Sequence, residues 1–164
     1  MKLPDAERAL AALIDQMRGK VTPETALVGI YTGGVWIAER LHRELGIAVP
    51  LGTLDVSFYR DDFDTAGLHK NVKRSEIPFA VEDRDIVLVD DVLFTGRTIR
   101  AALNELFDYG RPQSVRLAAL VDRGGRELPV AAQFTGATAD IATTQSIELR
   151  RDAEGRLSLV LNED

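Results

Sequence analysis

Repeated strand-then-helix alternation predicts an α/β fold, a parallel sheet with helices packed on its faces. Two stretches carry that expectation: Ala26–Tyr31 and Ile86–Val89 are β-prone apolar runs, each followed by a small-residue turn and an apolar-periodic segment. A third, Val115–Val121, follows a Gly110-Arg-Pro112 stop signal. Uninterrupted apolar runs of this kind suit strands buried on both faces better than one-sided strands.

Taken in order, Asp5 is placed to cap a helix carrying Ala6, Leu10, Leu13, Ile14 and Met17 on one face, with Gly19 as its stop. Pro23-Glu24 precedes the first strand, Ala26–Tyr31. Thr32-Gly33-Gly34 then leads into a helix from Val35 to Leu45 that Gly46 ends. That turn suits an anion-cradling loop, and equally a tight connection. Val49–Tyr59 reads as a strand, and the polar stretch from Asp61 to Glu76, with Gly67, Lys70, Lys73 and Arg74, reads as a long loop. Its composition fits a binding lid and a solvated surface hairpin equally well. After Pro129 come short strands at Val130–Phe134, Ser146–Arg150 and Leu157–Leu161, read as sheet extension or edge cover. The last two join through Asp152-Ala-Glu-Gly155.

The sharpest chemistry lies between Asp85 and Thr98. Asp90 and Asp91 sit at the carboxyl end of the Ile86–Val89 strand, the edge at which open α/β sheets bind ligands. Thr95-Gly-Arg-Thr98 opens a helix with Ile99, Ala102, Leu103, Leu106 and Phe107 on its apolar face, so backbone N–H groups there make an anion site. Gly96 permits close approach of a ligand, and Thr95 and Thr98 add hydroxyls. Acids for sugar hydroxyls beside an N–H nest for phosphate match a ribose 5-phosphate. Paired acids after a strand also hold magnesium in ATPases, but the Gly-x-x-x-x-Gly-Lys-Ser/Thr loop that chemistry needs is missing from the sequence. A phosphoacceptor site leaves Thr-Gly-x-Thr unexplained. A purely structural pair is disfavoured by repulsion between adjacent carboxylates.

Composition narrows the rest. The 164 residues, 45% of them hydrophobic, suit a single domain, 1–164, with a sizeable core. A net charge of −6 argues against a general attraction to nucleic acid. With no cysteine, disulfides and thiolate metal sites are excluded, which suits a cytoplasmic enzyme. No stretch approaches a membrane span, and Met1-Lys-Leu-Pro-Asp-Ala-Glu lacks the apolar core of a signal peptide, so neither membrane insertion nor secretion by that route is expected.

Val87-Leu-Val-Asp-Asp-Val-Leu-Phe-Thr-Gly-Arg-Thr98 resembles the phosphoribosyl-pyrophosphate (PRPP) signature of type I phosphoribosyltransferases. Leu54-Asp-Val-Ser-Phe-Tyr-Arg-Asp-Asp62 and Leu120-Val-Asp-Arg-Gly-Gly-Arg-Glu-Leu-Pro129 narrow the likeness to the bifunctional pyrimidine operon regulator and uracil phosphoribosyltransferase family, PyrR. The resemblance implies a type I phosphoribosyltransferase-like parallel sheet flanked by helices, with a small hood or edge sub-region. It implies pyrimidine salvage: uracil and PRPP giving UMP and pyrophosphate, with magnesium carried by the pyrophosphate and no metal ligated directly by the protein. Asp90 and Asp91 would hold the ribose hydroxyls and stabilise charge developing on the sugar. Thr95, Gly96, Arg97 and Thr98 would bind the 5-phosphate. Thr32, Gly33 and Gly34 would form the pyrophosphate loop. Arg60 and the loop cations Lys70, Lys73 and Arg74 would neutralise the leaving group and exclude water on closure. Asp122, Arg123 and Gly124 would lie near the base, where backbone groups could read the uracil edge; Asp122 and Arg123 also fit a plain surface ion pair.

Family members commonly carry Thr-Arg-Gly where Thr32-Gly33-Gly34 stands, histidine at the place of Gly125, and a Gly-Lys-Asn turn where this chain reads Phe134-Thr-Gly-Ala-Thr-Ala. The family also implies a homodimer or larger oligomer and a partner in pyrimidine leader RNA. Here the first helix offers only Arg8, Arg18 and Lys20 among several acids, which favours the enzyme over a UMP-responsive RNA attenuator. Action on another nucleobase is a third, less favoured reading.

Overall fold

The computed structural model describes residues 2–57 and 75–163. Helix α1 (Ala6–Met17) starts where the Asp5 carboxylate accepts the Arg8 N–H at 2.9 Å, and it buries Ala6, Ala9, Leu10, Leu13 and Met17. Strand β1 (Ala26–Ile30) is buried throughout and leads into α2 (Gly33–Glu44), which begins at Gly33 rather than at Val35. Strand β2 (Gly52–Leu54) covers only the middle of the expected Val49–Tyr59, of which Phe58 and Tyr59 lie outside the described residues. The Asp55 carboxylate takes both the N–H and the hydroxyl of Ser57, at 2.9 and 2.7 Å, and such a local side-chain turn competes with strand pairing.

Strand β3 (Asp85–Leu93) does not end at the acid pair but runs through it, because β4 (Ser114–Asp122) continues to pair alongside, from Asp85↔Ser114 to Leu93↔Asp122. Helix α3 (Arg97–Phe107) joins these two strands. Ile99, Ala102 and Leu106 are buried as expected, but Phe107 is 53% exposed, outside the buried stripe. The strand expected at Val130–Phe134 is displaced to β5 (Phe134–Thr138), since residues 128–130 are engaged elsewhere, as described below. Gln133 enters the edge of the sheet, exchanging bonds of 2.9 and 2.8 Å with the Leu117 backbone.

All pairings in the five-stranded sheet, β2-β1-β3-β4-β5, are parallel. Chain direction across it locates the site. From β1 the chain passes through α2 outward to β2; from β3 it passes through α3 outward the other way to β4. Right-handed crossovers in opposite directions put α2 and α3 on opposite faces and open a crevice between the carboxyl ends of β1 and β3. Helix α1 lies on the α2 side, against β4 and β5. Along the centre of the sheet Leu27, Val28, Ile86, Val87, Leu88 and Val89 are wholly buried. Truncating one of the larger ones to alanine costs about 2–5 kcal/mol.

The expected C-terminal strands form a separate antiparallel hairpin, β6 (Gln145–Arg151) and β7 (Leu157–Glu163), rather than extending the sheet. It docks through buried Leu149 and Leu157 and through the Glu7 carboxylate, which accepts the Leu157 N–H at 2.8 Å. Among the described residues no helix is long and apolar enough to cross a membrane.

Candidate active site

Three stretches converge on the crevice. The first is Tyr31–Gly34, which contains a cis peptide bond between Tyr31 and Thr32 and begins with the Tyr31 N–H donated to the Leu54 carbonyl at 2.9 Å. Thr32 caps α2 by position without a side-chain bond to it, so N–H groups of the first turn keep their capacity for an anion. Gly33 packs on the Asp91 side chain, and Gly34 is required by contact with the β3 backbone. A Cβ on Gly33 would run into the Asp91 carboxylate, 2.8 Å from its Cγ, and one on Gly34 would strike the Val89 carbonyl and lie 3.2 Å from the Asp90 Cα.

The second stretch is the acid pair. Pairing with β1 reaches only Val89, whereas pairing with β4 continues through Asp90, and Gly33-Gly34 comes down on the acids from the β1 side. Asp90 is buried, 5% exposed, and Asp91 is half-buried. Each carboxylate accepts the N–H of the following residue: Asp90 that of Asp91 at 2.9 Å, Asp91 that of Val92 at 2.7 Å. These donors stabilise two neighbouring negative charges.

Third is the turn into α3. Gly96 has φ of 96°, a left-handed conformation that caps the helix where a side chain would be strained. The Thr95 hydroxyl accepts the Arg97 N–H at 3.2 Å. A pocket of about 120 Å³ is lined by Asp90, Phe94, Thr95, Gly96 and Thr98, among others. The geometry thus brings together Thr32, Gly33, Gly34, Asp90, Asp91, Thr95, Gly96 and Thr98. The Arg97 guanidinium, by contrast, pairs with Glu127 at 2.9 Å.

The stretch after β4 behaves differently from its expected role. Asp122 pairs with Arg126 at 2.6 Å, not with Arg123, and its other oxygen accepts the Gly124 N–H at 2.9 Å. Burial pushes the Asp122 carboxyl up, but the Arg126 hydrogen bond, the Gly124 N–H and the Arg126 charge outweigh it and hold it below its ordinary value. Arg123 donates to the Gln145 and Ala142 carbonyls at 2.8 and 3.1 Å and stacks on Phe94 with its guanidinium carbon 3.7 Å from the ring centroid. Sequence reasoning missed Arg126, Glu127 and Leu128. Their signal, a charged run beside a proline, reads as solvated surface, but the Glu127 and Leu128 N–H groups both donate to the Thr95 carbonyl, at 2.9 and 3.1 Å.

Arg60, Lys70, Lys73 and Arg74 lie outside the described residues. The residues flanking that segment are tied together: the Ser75 hydroxyl accepts the Asp55 N–H at 2.9 Å and meets Glu105 on α3 at 2.7 Å.

An acid pair at the switch point of a parallel sheet, faced by a glycine loop and by helix starts without a side-chain cap, fits a phosphoribosyltransferase, and residues 2–149 match the phosphoribosyl transferase domain. The chain belongs to that family, within its PyrR branch. It is 53% identical over 145 residues to the Bifunctional protein PyrR of Nitrosococcus oceani, covering 87% of this chain and 82% of that protein. With the Bifunctional protein PyrR of Pseudomonas fluorescens it shares 50% over 167 residues, 97% of each. Among solved structures it resembles a hypoxanthine-guanine phosphoribosyltransferase (hpt-2) from Bacillus anthracis, with a TM-score of 0.67 at 17% identity over 85% of this chain and 83% of that one. The HGPRT-ase of Leishmania tarentolae in complex with GMP gives 0.65 at 19%, over 87% and 82%. At such identities the likeness concerns the fold.

Proposed function

We propose that this protein transfers the 5-phosphoribosyl group of PRPP to N1 of uracil, forming UMP and releasing pyrophosphate. The observation that carries the reading is the packing of Gly33-Gly34 on Asp91 and Asp90, with Asp90 also lining the pocket of the Gly96 turn, which supports neighbouring subsites for pyrophosphate, ribose and 5-phosphate. Thr95, Gly96, Arg97 and Thr98 hold the 5-phosphate, and Asp90 and Asp91 take the ribose hydroxyls. As the bond from the anomeric carbon to pyrophosphate breaks, positive charge develops on the sugar beside these two carboxylates, and a fixed negative charge there lowers the barrier. Uracil N1 forms the new bond as the pyrophosphate oxygen departs, and the N1 proton passes to that pyrophosphate or to water.

Magnesium fits the donor set, because a hard cation arriving on a diphosphate keeps most of its oxygen ligands from substrate and water and takes at most a carboxylate or two from protein. The protein itself would ligate the ion little or not at all, Asp90 and Asp91 being the crevice carboxylates that would face it, and the ion would supply charge neutralisation of the leaving group. Arg60, Lys70, Lys73 and Arg74 are proposed to do the same from the protein side. With both Asp122 oxygens and the Arg123 guanidinium already engaged, reading of the uracil edge falls to backbone carbonyls around Arg123 and Gly124.

The test is PRPP- and magnesium-dependent UMP formation, run against a panel of nucleobases and repeated with Asp91→Asn. Preferential uracil turnover that falls in the variant is expected. No uracil turnover in the native protein overturns the activity, and unaltered turnover in the variant overturns the site.

A second reading, RNA binding, draws on a cleft of about 610 Å³ between α1, α2 and the hairpin, into which Arg40, Arg43, Arg151 and Arg156 project. Glu7, Glu39, Glu44 and Glu154 line the same cleft and offset that charge. Phosphate contacts make affinity fall steeply with salt. A salt titration with the organism's pyrimidine leader RNA, with and without UMP, distinguishes the readings: flat or undetectable binding sinks this one.

A further inference from the structure

We infer that Arg126, which reaches none of the three converging stretches from the crevice side, is the positioning residue of the 5-phosphate turn; the inference rests on the transferase reading above. Its one guanidinium donates to three acceptors from three places in the chain. Nε donates to the Val130 carbonyl at 2.8 Å, one Nη to the Phe94 carbonyl at 2.8 Å and the other to Asp122 Oδ2 at 2.6 Å. Phe94 is the last residue before Thr95, so the bond to its carbonyl fixes the plane of the Phe94–Thr95 peptide from which the phosphate turn starts. Val130 in turn seats its side chain under Gly96, where a Cβ would lie 3.2 Å from Val130 Cγ2.

The residues between these anchors complete the support. Glu127 and Leu128 donate their N–H groups to the Thr95 carbonyl, and the Glu127 carboxylate holds Arg97. The segment 126–130 therefore lies behind 94–97 and bonds or packs against each of its residues in turn. Asp122 closes the arrangement at the end of β4, linking the turn that holds phosphate to the loop assigned to the base. A planar fork with fixed donor directions satisfies three acceptors at once, which an ammonium on a flexible stem does not reproduce. With side-chain exposures of 24% for Arg126 and 23% for Asp122, the pair is shielded enough for the geometry to persist, unlike an open surface ion pair.

Removing this support acts on one part of the substrate. The 5-phosphate is shared by PRPP and UMP but is no part of free pyrophosphate, whose proposed cradle, Thr32-Gly33-Gly34, Arg126 does not touch. Calorimetric titration of the native protein, Arg126→Met and Arg126→Lys with UMP and separately with magnesium pyrophosphate tests this, with thermal melts as a control on folding. Expected is a loss of UMP affinity of about tenfold or more in Arg126→Met, a smaller loss in Arg126→Lys, and pyrophosphate affinity within about twofold of native in both, the tenfold step being the ordinary consequence of one charged hydrogen-bond network removed. UMP affinity unchanged in both variants overturns the inference, as does an equal loss for both ligands, which is the signature of a merely structural residue. Should Arg126→Met not fold, Arg126→Lys alone decides between these outcomes. Native protein that binds UMP with this pattern but turns over no uracil sinks the transferase reading and leaves the positioning role standing; native protein that binds no UMP sinks both.

Discussion

Gly33 lies so close to Asp91 that a methyl group at position 33 enters only if the carboxylate shifts: its Cβ would stand 2.8 Å from the Asp91 Cγ and 3.0 Å from the Asp91 Cβ. The loop assigned to pyrophosphate and the acid assigned to the ribose therefore share one volume. Gly33→Ala is expected to push the Asp91 carboxylate off its bond to the Val92 N–H and to lower kcat/KM for PRPP by about tenfold to a hundredfold, the usual penalty for a displacement near 1 Å at a reacting centre. Gly33→Arg, which restores the residue common in the family the sequence resembles, is expected to be worse and not a rescue. Steady-state kinetics with PRPP varied decides; a gain in PRPP affinity on arginine insertion shows that Asp91 has somewhere to go.

What could be read from the sequence was local, and what could not was pairwise. Ile86–Val89 announced a doubly buried strand because each of its residues is apolar and β-prone, and all four are wholly buried. The end of β3 depends instead on whether a neighbour keeps pairing, and β4 does so through Leu93↔Asp122. Similarly, Val130–Phe134 looked like a strand by composition, but its first residue, Val130, supports the Gly96 turn, which only the fold brings near. For Asp122 the adjacent arginine was the natural partner in one dimension; the chain turns so that Arg126 meets the carboxylate and Arg123 reaches Ala142 and Gln145 at the start of the hairpin. The acids, glycines and threonines of the candidate site, which the fold brings together, could be picked out because their chemistry is carried by residue type at a strand end. Arg126 was not, because a buttress looks like surface charge until its acceptors are known.

Gly125 meets Phe94 as Gly33 meets Asp91. Its φ is 79°, and a Cβ there would lie 2.9 Å from the Phe94 Cδ1. Gly125→His or Gly125→Ala is expected to destabilise the protein by about 1–3 kcal/mol, through left-handed strain and displacement of the Phe94 ring. The ring also carries the Arg123 guanidinium, so the linkage to Ala142 and Gln145 should loosen with it. Denaturant melts measure the first effect and amide exchange over 142–146 the second. Native-like stability in both variants would mean that Phe94 has an alternative rotamer of equal energy.

Glu7 joins three elements: its carboxylate pairs with Arg40 of α2 at 2.8 Å and accepts the Leu157 N–H of β7 at 2.8 Å. The Arg40 hydrogen bond lowers the Glu7 carboxyl below its ordinary 4.5; burial opposes that, and the Leu157 N–H adds to the lowering. A carboxyl depressed in the folded state binds fewer protons folded than unfolded. Its contribution to stability is therefore complete above 4.5 and is lost as pH falls through the lower, folded value. Glu7→Gln is expected to cost about 1–2 kcal/mol at neutral pH and progressively less in acid. Thermal melts of both proteins from neutral pH down to about 3 should converge at the acid end. Parallel curves would place the bond's value in packing and not in charge.

In the Arg97–Glu127 pair the expected phosphate ligand is seen with a competitor. Both side chains are about half exposed, 46% and 54%, so the pair itself contributes little to stability, within about 1 kcal/mol. Its position at the first residue of α3 gives it another effect. Glu127→Gln removes a negative charge beside the proposed 5-phosphate pocket and relieves Arg97 of a carboxylate partner, while the Glu127 backbone N–H still holds the Thr95 carbonyl. UMP should then bind a few-fold tighter at low ionic strength. The gain should shrink as salt rises past about 0.1 M, where the screening length falls to about 10 Å. Calorimetric titrations with UMP at two salt concentrations measure it, with Arg97→Gln as the reference in which the gain should vanish. An unchanged affinity in Glu127→Gln would assign the 5-phosphate to the backbone and threonine hydroxyls of the turn alone, and leave Arg97 as a surface residue of α3.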